Sequence, residues 1–177
     1  MRKRLFFWEL VGFLWTVAAG TLLHFIYEWS SGSVIAAAFS GVNESTWEHM
    51  KLLFFPLFLF SVVQVCVMAR NYPNILAVRA VSTLVGLALI PILLYTYTGV
   101  LGYHVSWANI GVFVLAALGA FFLDFRLLRK GRLNAPWMQI IGLLLLWGLA
   151  FFFVWCTFHP IHLALWQDPV TGQFGIQ

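Results

Sequence analysis

Residues 140–158 read IIGLLLLWGLAFFFVWCTF and contain no charged side chain. Wound as a helix at 1.5 Å per residue, that stretch is about 28 Å long, which matches the ~30 Å hydrocarbon core of a bilayer. It lies within a span predicted at 136–158, and the same pattern recurs upstream at 5–28, 46–69, 75–97 and 106–128. Of the 177 residues, 62% are hydrophobic and 9% charged, and the mean hydropathy is +0.91. Soluble domains carry about a quarter charged residues. The composition therefore excludes a water-soluble enzyme, a disordered chain and a disulfide-built secreted module.

The predicted fold is all-α: a polytopic membrane helical bundle forming one domain over 1–177, with five spans and an outer tail at 159–177. Arg2-Lys3-Arg4 before a long apolar run with no small-residue cleavage pattern reads as a retained signal-anchor helix. Val34–Phe39 is apolar but too short to span, so a re-entrant or interfacial helix capped by Ser33 is expected. Pro56 and Pro91 fall inside spans, with a kink expected at Pro56, and Pro136 suits a first helical turn. Tyr95 and Tyr97 suit interfacial anchoring, and Gly111, Ala116, Ala117, Gly119 and Ala120 suit close helix packing. Cys66 and Cys156 fit no ligand spacing and fall near opposite faces, so two small core residues are expected rather than a disulfide.

Arg2, Lys3, Arg4, Arg70, Arg79, Arg126, Arg129, Lys130 and Arg132 all fall toward one side of this topology, and only Lys51 falls on the other. Short basic loops resist translocation. The expected orientation is thus N-terminus in and C-terminus out, in a bacterial cytoplasmic membrane.

That orientation sends His24, His49, His104, His159 and His162 outward together with Glu28, Glu44, Glu48 and Asp168. His24 and Glu28, at i and i+4, share one helix face with Thr21 and could chelate a divalent ion. The bland alternative is a pair of wet groups in the headgroup region. Asn43 to Lys51 (NESTWEHMK) is the densest polar stretch. Ser45 and Glu48 have capping-box spacing and Trp47 suits an interface, which explains part of it structurally. The remainder suggests Glu44 or Glu48 as general base and His49 as a metal ligand, with Lys51 facing an anionic group. His159 and His162 are possible further ligands, or else groups on an idle surface tail. Asn43, Trp47, Lys51 and Asp168 are the candidate substrate-binding residues.

On the inner side, Asp124 and Arg79 are expected to pair, because ionisable groups within a membrane seek opposite charges. Glu9 is expected near Arg2, Arg4 or Arg70. No phosphate-binding glycine loop, G-x-S-x-G, H-E-x-x-H or heme-attachment cysteine pair is present. Nothing points to nucleic acid as a partner.

The runs Phe7-Trp8-Glu9-Leu10, Leu23-His24-Phe25-Ile26-Tyr27-Glu28-Trp29 and Val42-Asn43-Glu44-Ser45-Thr46-Trp47-Glu48-His49, with the ending His159-Pro160 and Asp168-Pro169-Val170-Thr171-Gly172, resemble a family of small bacterial membrane proteins of unknown function. The resemblance covers nearly the whole chain and implies no activity. The Asn-Glu-Ser block also resembles the Asn-Glu-Thr-type segment of the membrane hydrolases that include alkaline ceramidases and adiponectin-receptor-like proteins, which hold zinc through histidines. Here the spacing from Asn43 to His49 is shorter, five spans replace seven, and the paired histidines are three rather than four apart.

The leading functional expectation is a metal-dependent membrane hydrolase acting on a lipid or peptide near the outer leaflet. His24, His49 and one or both of His159 and His162 would hold a divalent ion, with zinc favoured and Glu28 as a further ligand or as a support to one. The alternatives are a solute- or metal-ion-binding transporter subunit and a structural or accessory protein. A homo-oligomer or a membrane partner fits each of them.

Overall fold

A computed structural model describes residues 2–176. In chain order the helices are α1 (Arg2–Trp29), α2 (Val34–Phe39), α3 (Thr46–Met68), α4 (Ile75–Leu101), α5 (Ser106–Lys130) and α6 (Pro136–Phe158). All but α2 are long and apolar enough to cross a membrane. Among the described residues the only β pairing is an isolated bridge between Gln167 and Phe174. The all-helical membrane fold is therefore as expected, with α4 running a turn past its anticipated end at 97.

α1 packs through one narrow stripe: Leu5, Glu9, Gly12, Thr16 and Gly20 are its buried residues, spaced three or four apart. Two of the five are glycine because α3 comes so close. A Cβ on Gly12 would run into the Phe60 ring, and one on Gly20 would lie 2.9 Å from the Leu52 carbonyl oxygen. Pro56 lies four residues after Leu52 and has no amide to donate, so that carbonyl lacks its helical partner. α3 nevertheless runs through the proline as one helix. The Pro56 carbonyl accepts a 3.0 Å hydrogen bond from the Trp15 indole, a second tie between α1 and α3.

α4 and α5 approach through Gly86, Ala116, Ala117 and Ala120, all buried. Of the other small residues on α5, Gly119 leaves room for Leu89, whereas Gly111 faces open space and packs against nothing. α6 rests on α4 where Gly142 meets the Ala77 backbone; a Cβ there would lie 2.8 Å from it. Cys156 is buried as expected. Cys66 is not, because its place on α3 turns it to the outer surface of the bundle.

The up-and-down order gathers Arg2, Lys3, Arg4, Arg70, Arg129, Lys130 and Arg132 at one end, here called the basic end, and the five histidines at the other. Each end has its own apolar core. Leu5, Met68, Ile75, Val78 and Leu128 pack at the basic end, and Trp47, Phe54, Phe153 and Trp166 lie in the cluster toward the histidine end. α2 lies across the histidine end, touching α1, α3 and α6. It buries Ala37 and Ala38 while Val34 and Ile35 are 69% and 76% exposed. A short helix with apolar groups on both sides suits the membrane interface.

Candidate functional site

Three segments meet at the histidine end. The last turns of α1 bring His24, the first turn of α3 brings His49, and the loop from α2 to α3 carries Glu44 between them. His24 Nε2 lies 3.5 Å from Glu44 Oε1, and His49 Nε2 lies 3.8 Å from Glu44 Oε2. The two rings are 5.8 Å apart between centroids. All three side chains are partly open to solvent. His49 Nδ1 is 2.9 Å from the Ser45 carbonyl oxygen, an atom that can only accept. That bond fixes the proton on Nδ1 and turns Nε2 toward Glu44. Glu28 joins His24, Tyr27, Asn43 and Glu44 in lining a cleft of about 80 Å³. Among the described residues no group of three or more His, Cys, Asp and Glu side chains stands close enough as it is to hold a metal ion.

The loop that carries Glu44 is held by the tail. Asn43 Oδ1 accepts from the Ser45 amide at 2.9 Å, and its Nδ2 donates to the Gly175 carbonyl at 2.8 Å. The Trp47 amide donates to the Leu165 carbonyl at 2.9 Å, and the Trp47 ring stacks on Trp166 at 4.5 Å. Asp168 Oδ1 accepts from the Val170 amide at 2.7 Å, which shapes the turn that the Gln167–Phe174 bridge closes. Asn43 and Trp47 thus strap tail to loop, and Asp168 orders the turn of the tail itself. His159 stacks on Trp155 at 4.2 Å and His162 packs on Phe174 at 4.8 Å. Neither tail histidine joins the trio of His24, Glu44 and His49, and His104 lies exposed in the loop between α4 and α5.

Glu48 and Lys51 are drawn inward instead. Ser45 Oγ accepts from the Glu48 amide at 3.3 Å, the forward arm of a capping box. The return arm is missing, because the Ser45 amide is already bonded to Asn43 and the Glu48 carboxylate turns to Lys51 Nζ at 2.6 Å and the Val42 amide at 3.2 Å. Lys51 Nζ also donates to the Ala37 carbonyl at 2.9 Å and to Thr157 Oγ1 at 3.0 Å. All three ammonium protons are used, and both residues are at most 3% exposed. The pair fastens α2 onto α3 and α6.

A second polar group lies buried toward the basic end. Arg79 meets Asp124 Oδ2 at 2.8 Å, the pairing expected from sequence. Asp124 Oδ1 accepts from Ser82 at 2.8 Å. Arg79 also donates to Gln64, whose Nε2 donates to Glu9 Oε1 at 2.7 Å. Glu9 Oε2 is 3.5 Å from Arg79. Glu9 therefore turns into the bundle toward Arg79 and Gln64 rather than toward Arg2, Arg4 or Arg70, since it sits on the buried stripe of α1 while those arginines lie at the helix ends. The Phe121 ring covers the guanidinium at 5.0 Å. The network joins α1, α3, α4 and α5. Gln64, its central link, was not anticipated; the available signal was a lone amide inside an apolar span.

Comparison with curated proteins finds no match, and comparison with solved structures finds none either. The model of a family of unknown function, DUF6512, matches residues 2–176, and the chain belongs to that family.

Proposed function

We propose that this membrane protein binds a divalent cation, zinc in the first place, between His24, Glu44 and His49. One observation carries the reading. With the proton of His49 fixed on Nδ1 by the Ser45 carbonyl, the lone pair of Nε2 faces a carboxylate oxygen 3.8 Å away. Two acceptors that face each other across this distance are drawn together by a positive centre between them, which a metal ion would supply. Ligand atoms around a tetrahedral zinc at ~2.1 Å stand ~3.4 Å apart. The separations of 3.5 and 3.8 Å need only a small closure to reach that. A carbonyl bonded to the far ring nitrogen is the usual outer support of a metal-bound histidine. Glu28, on the same cleft, is the nearest candidate for a further ligand.

The geometry favours binding over hydrolysis. A metal-bound water needs a base that is not itself a ligand. Of the two candidates from sequence, Glu44 is itself a ligand here, and Glu48 is buried and bonded to Lys51 and Val42. A transporter-subunit or accessory role that captures an ion at the histidine end fits these contacts better.

The test is elemental analysis of detergent-purified protein without an affinity tag, before and after dialysis against zinc. One zinc per chain, lost in His49→Ala and in Glu44→Gln, is the expected result. No zinc after dialysis would overturn the proposal.

A further inference from the structure

Among the described residues α1 and α6 both pack on α3, but their backbones stand apart from each other. The space between them is a lateral groove of about 690 Å³ lined only by apolar and aromatic residues. α1 walls it from Trp15 to Ile26, α6 from Trp147 to Val154, and Pro56 lies in its α3 floor. An aromatic pair lies toward each end of it. Toward the histidine end Phe39 of α2 packs edge-on against Phe55 at 5.0 Å, and toward mid-bundle Trp147 meets Phe58 at 5.2 Å.

We infer that this groove binds one acyl chain of a phospholipid from the leaflet at the histidine end. Length is the first reason. From residue 15 to residue 26 α1 rises about 16 Å, close to half of the ~30 Å hydrocarbon core. The groove is therefore one leaflet deep. The second reason is the plug: α2 lies across the outer mouth, so a helix crossing the whole bilayer does not fit along the groove. The exposed Val34 and Ile35 place α2 at the level where a lipid's headgroup joins its chains. The third is size, since ~300–1,000 Å³ is the range of sites that enclose a small ligand. Each wall contributes one small side chain, Ala19 on α1 and Ala150 on α6, which leaves the groove room. The inference rests on none of the groups in the ion site.

The experiment uses the full chain in phosphatidylcholine vesicles doped with a phosphatidylcholine that carries a photoreactive diazirine in mid-chain. After illumination, labelled peptides are mapped by mass spectrometry. Label is expected to concentrate on residues 19–26 and 150–154 and to be lost there in Ala19→Phe and Ala150→Phe. Label on the exposed Ile140 and Leu144 should stay unchanged in those variants. Equal labelling of the groove and of Ile140 and Leu144 in the wild-type chain would overturn the inference, whether or not the variants fold. So would cross-links from groove residues to a second copy of the chain.

Discussion

Charged groups at the two ends of the bundle lie in opposite surroundings. Toward the basic end Glu9, Gln64, Arg79, Ser82 and Asp124 are dry and bonded across four helices. At the histidine end His24, Glu44 and His49 are partly open, with 3.5 and 3.8 Å between the facing atoms. The Glu48–Lys51 pair lies near the open trio in the chain but belongs with the dry group by its surroundings. Residue type does not separate the two behaviours, since each contains carboxylates and a basic partner. Burial does. A dry ion pair holds helices together, whereas an open one is free to exchange its partner for a ligand.

The sharpest way to break this contrast is Asp124→Ala. It leaves the Arg79 guanidinium buried without its nearest charge, and losing one member of a buried pair costs about 3–5 kcal/mol. Thermal unfolding in detergent is expected to fall accordingly; a variant as stable as wild type would remove the structural role given to the network. Lys51→Met comes next, with a loss of about 3 kcal/mol because Glu48 stays buried alone. Adding Glu48→Gln to Lys51→Met should recover much of that loss, and a double variant worse than the single would show that Glu48 has a separate task. Asn43→Ala removes two hydrogen bonds of about 1 kcal/mol each. It should quicken proteolytic clipping of residues 160–176 more than it lowers the unfolding temperature. The smallest effect on stability is expected from His49→Ala, within about 1 kcal/mol because the ring is partly exposed. A loss as large as that of Asp124→Ala would place the histidine trio among the structural groups.

The sequence disclosed the spans, the short helix at 34–39 and the Arg79–Asp124 pair, because each follows from one rule applied along the chain. A bilayer demands long apolar helices, and a buried arginine demands an acid. His24 and His49 were legible as candidates for the same reason that Glu48 misled: sequence position reports depth, not the direction in which a side chain turns. Glu48 follows Glu44 by four residues, yet Glu44 is in the loop and Glu48 is in the helix, so one faces the histidines and the other the core. The strap from Asn43 to Gly175 was out of reach, since no local pattern joins residues 132 positions apart. The lateral groove was equally silent. It arises where the backbones of two helices stand apart, and an absent approach leaves no periodicity in the chain.

That strap also sets an order of events. Five helices can enter a membrane one after another as they are made, but the loop bearing Glu44 must wait for residues 165–175 before Asn43 and Trp47 find their partners. The loop and tail are thus finished late in biogenesis, by contacts of very large sequence separation, the kind that form slowly. A chain arrested before residue 165 would be inserted and helical, yet it would carry a slack loop where the finished protein holds its carboxylate between two imidazoles.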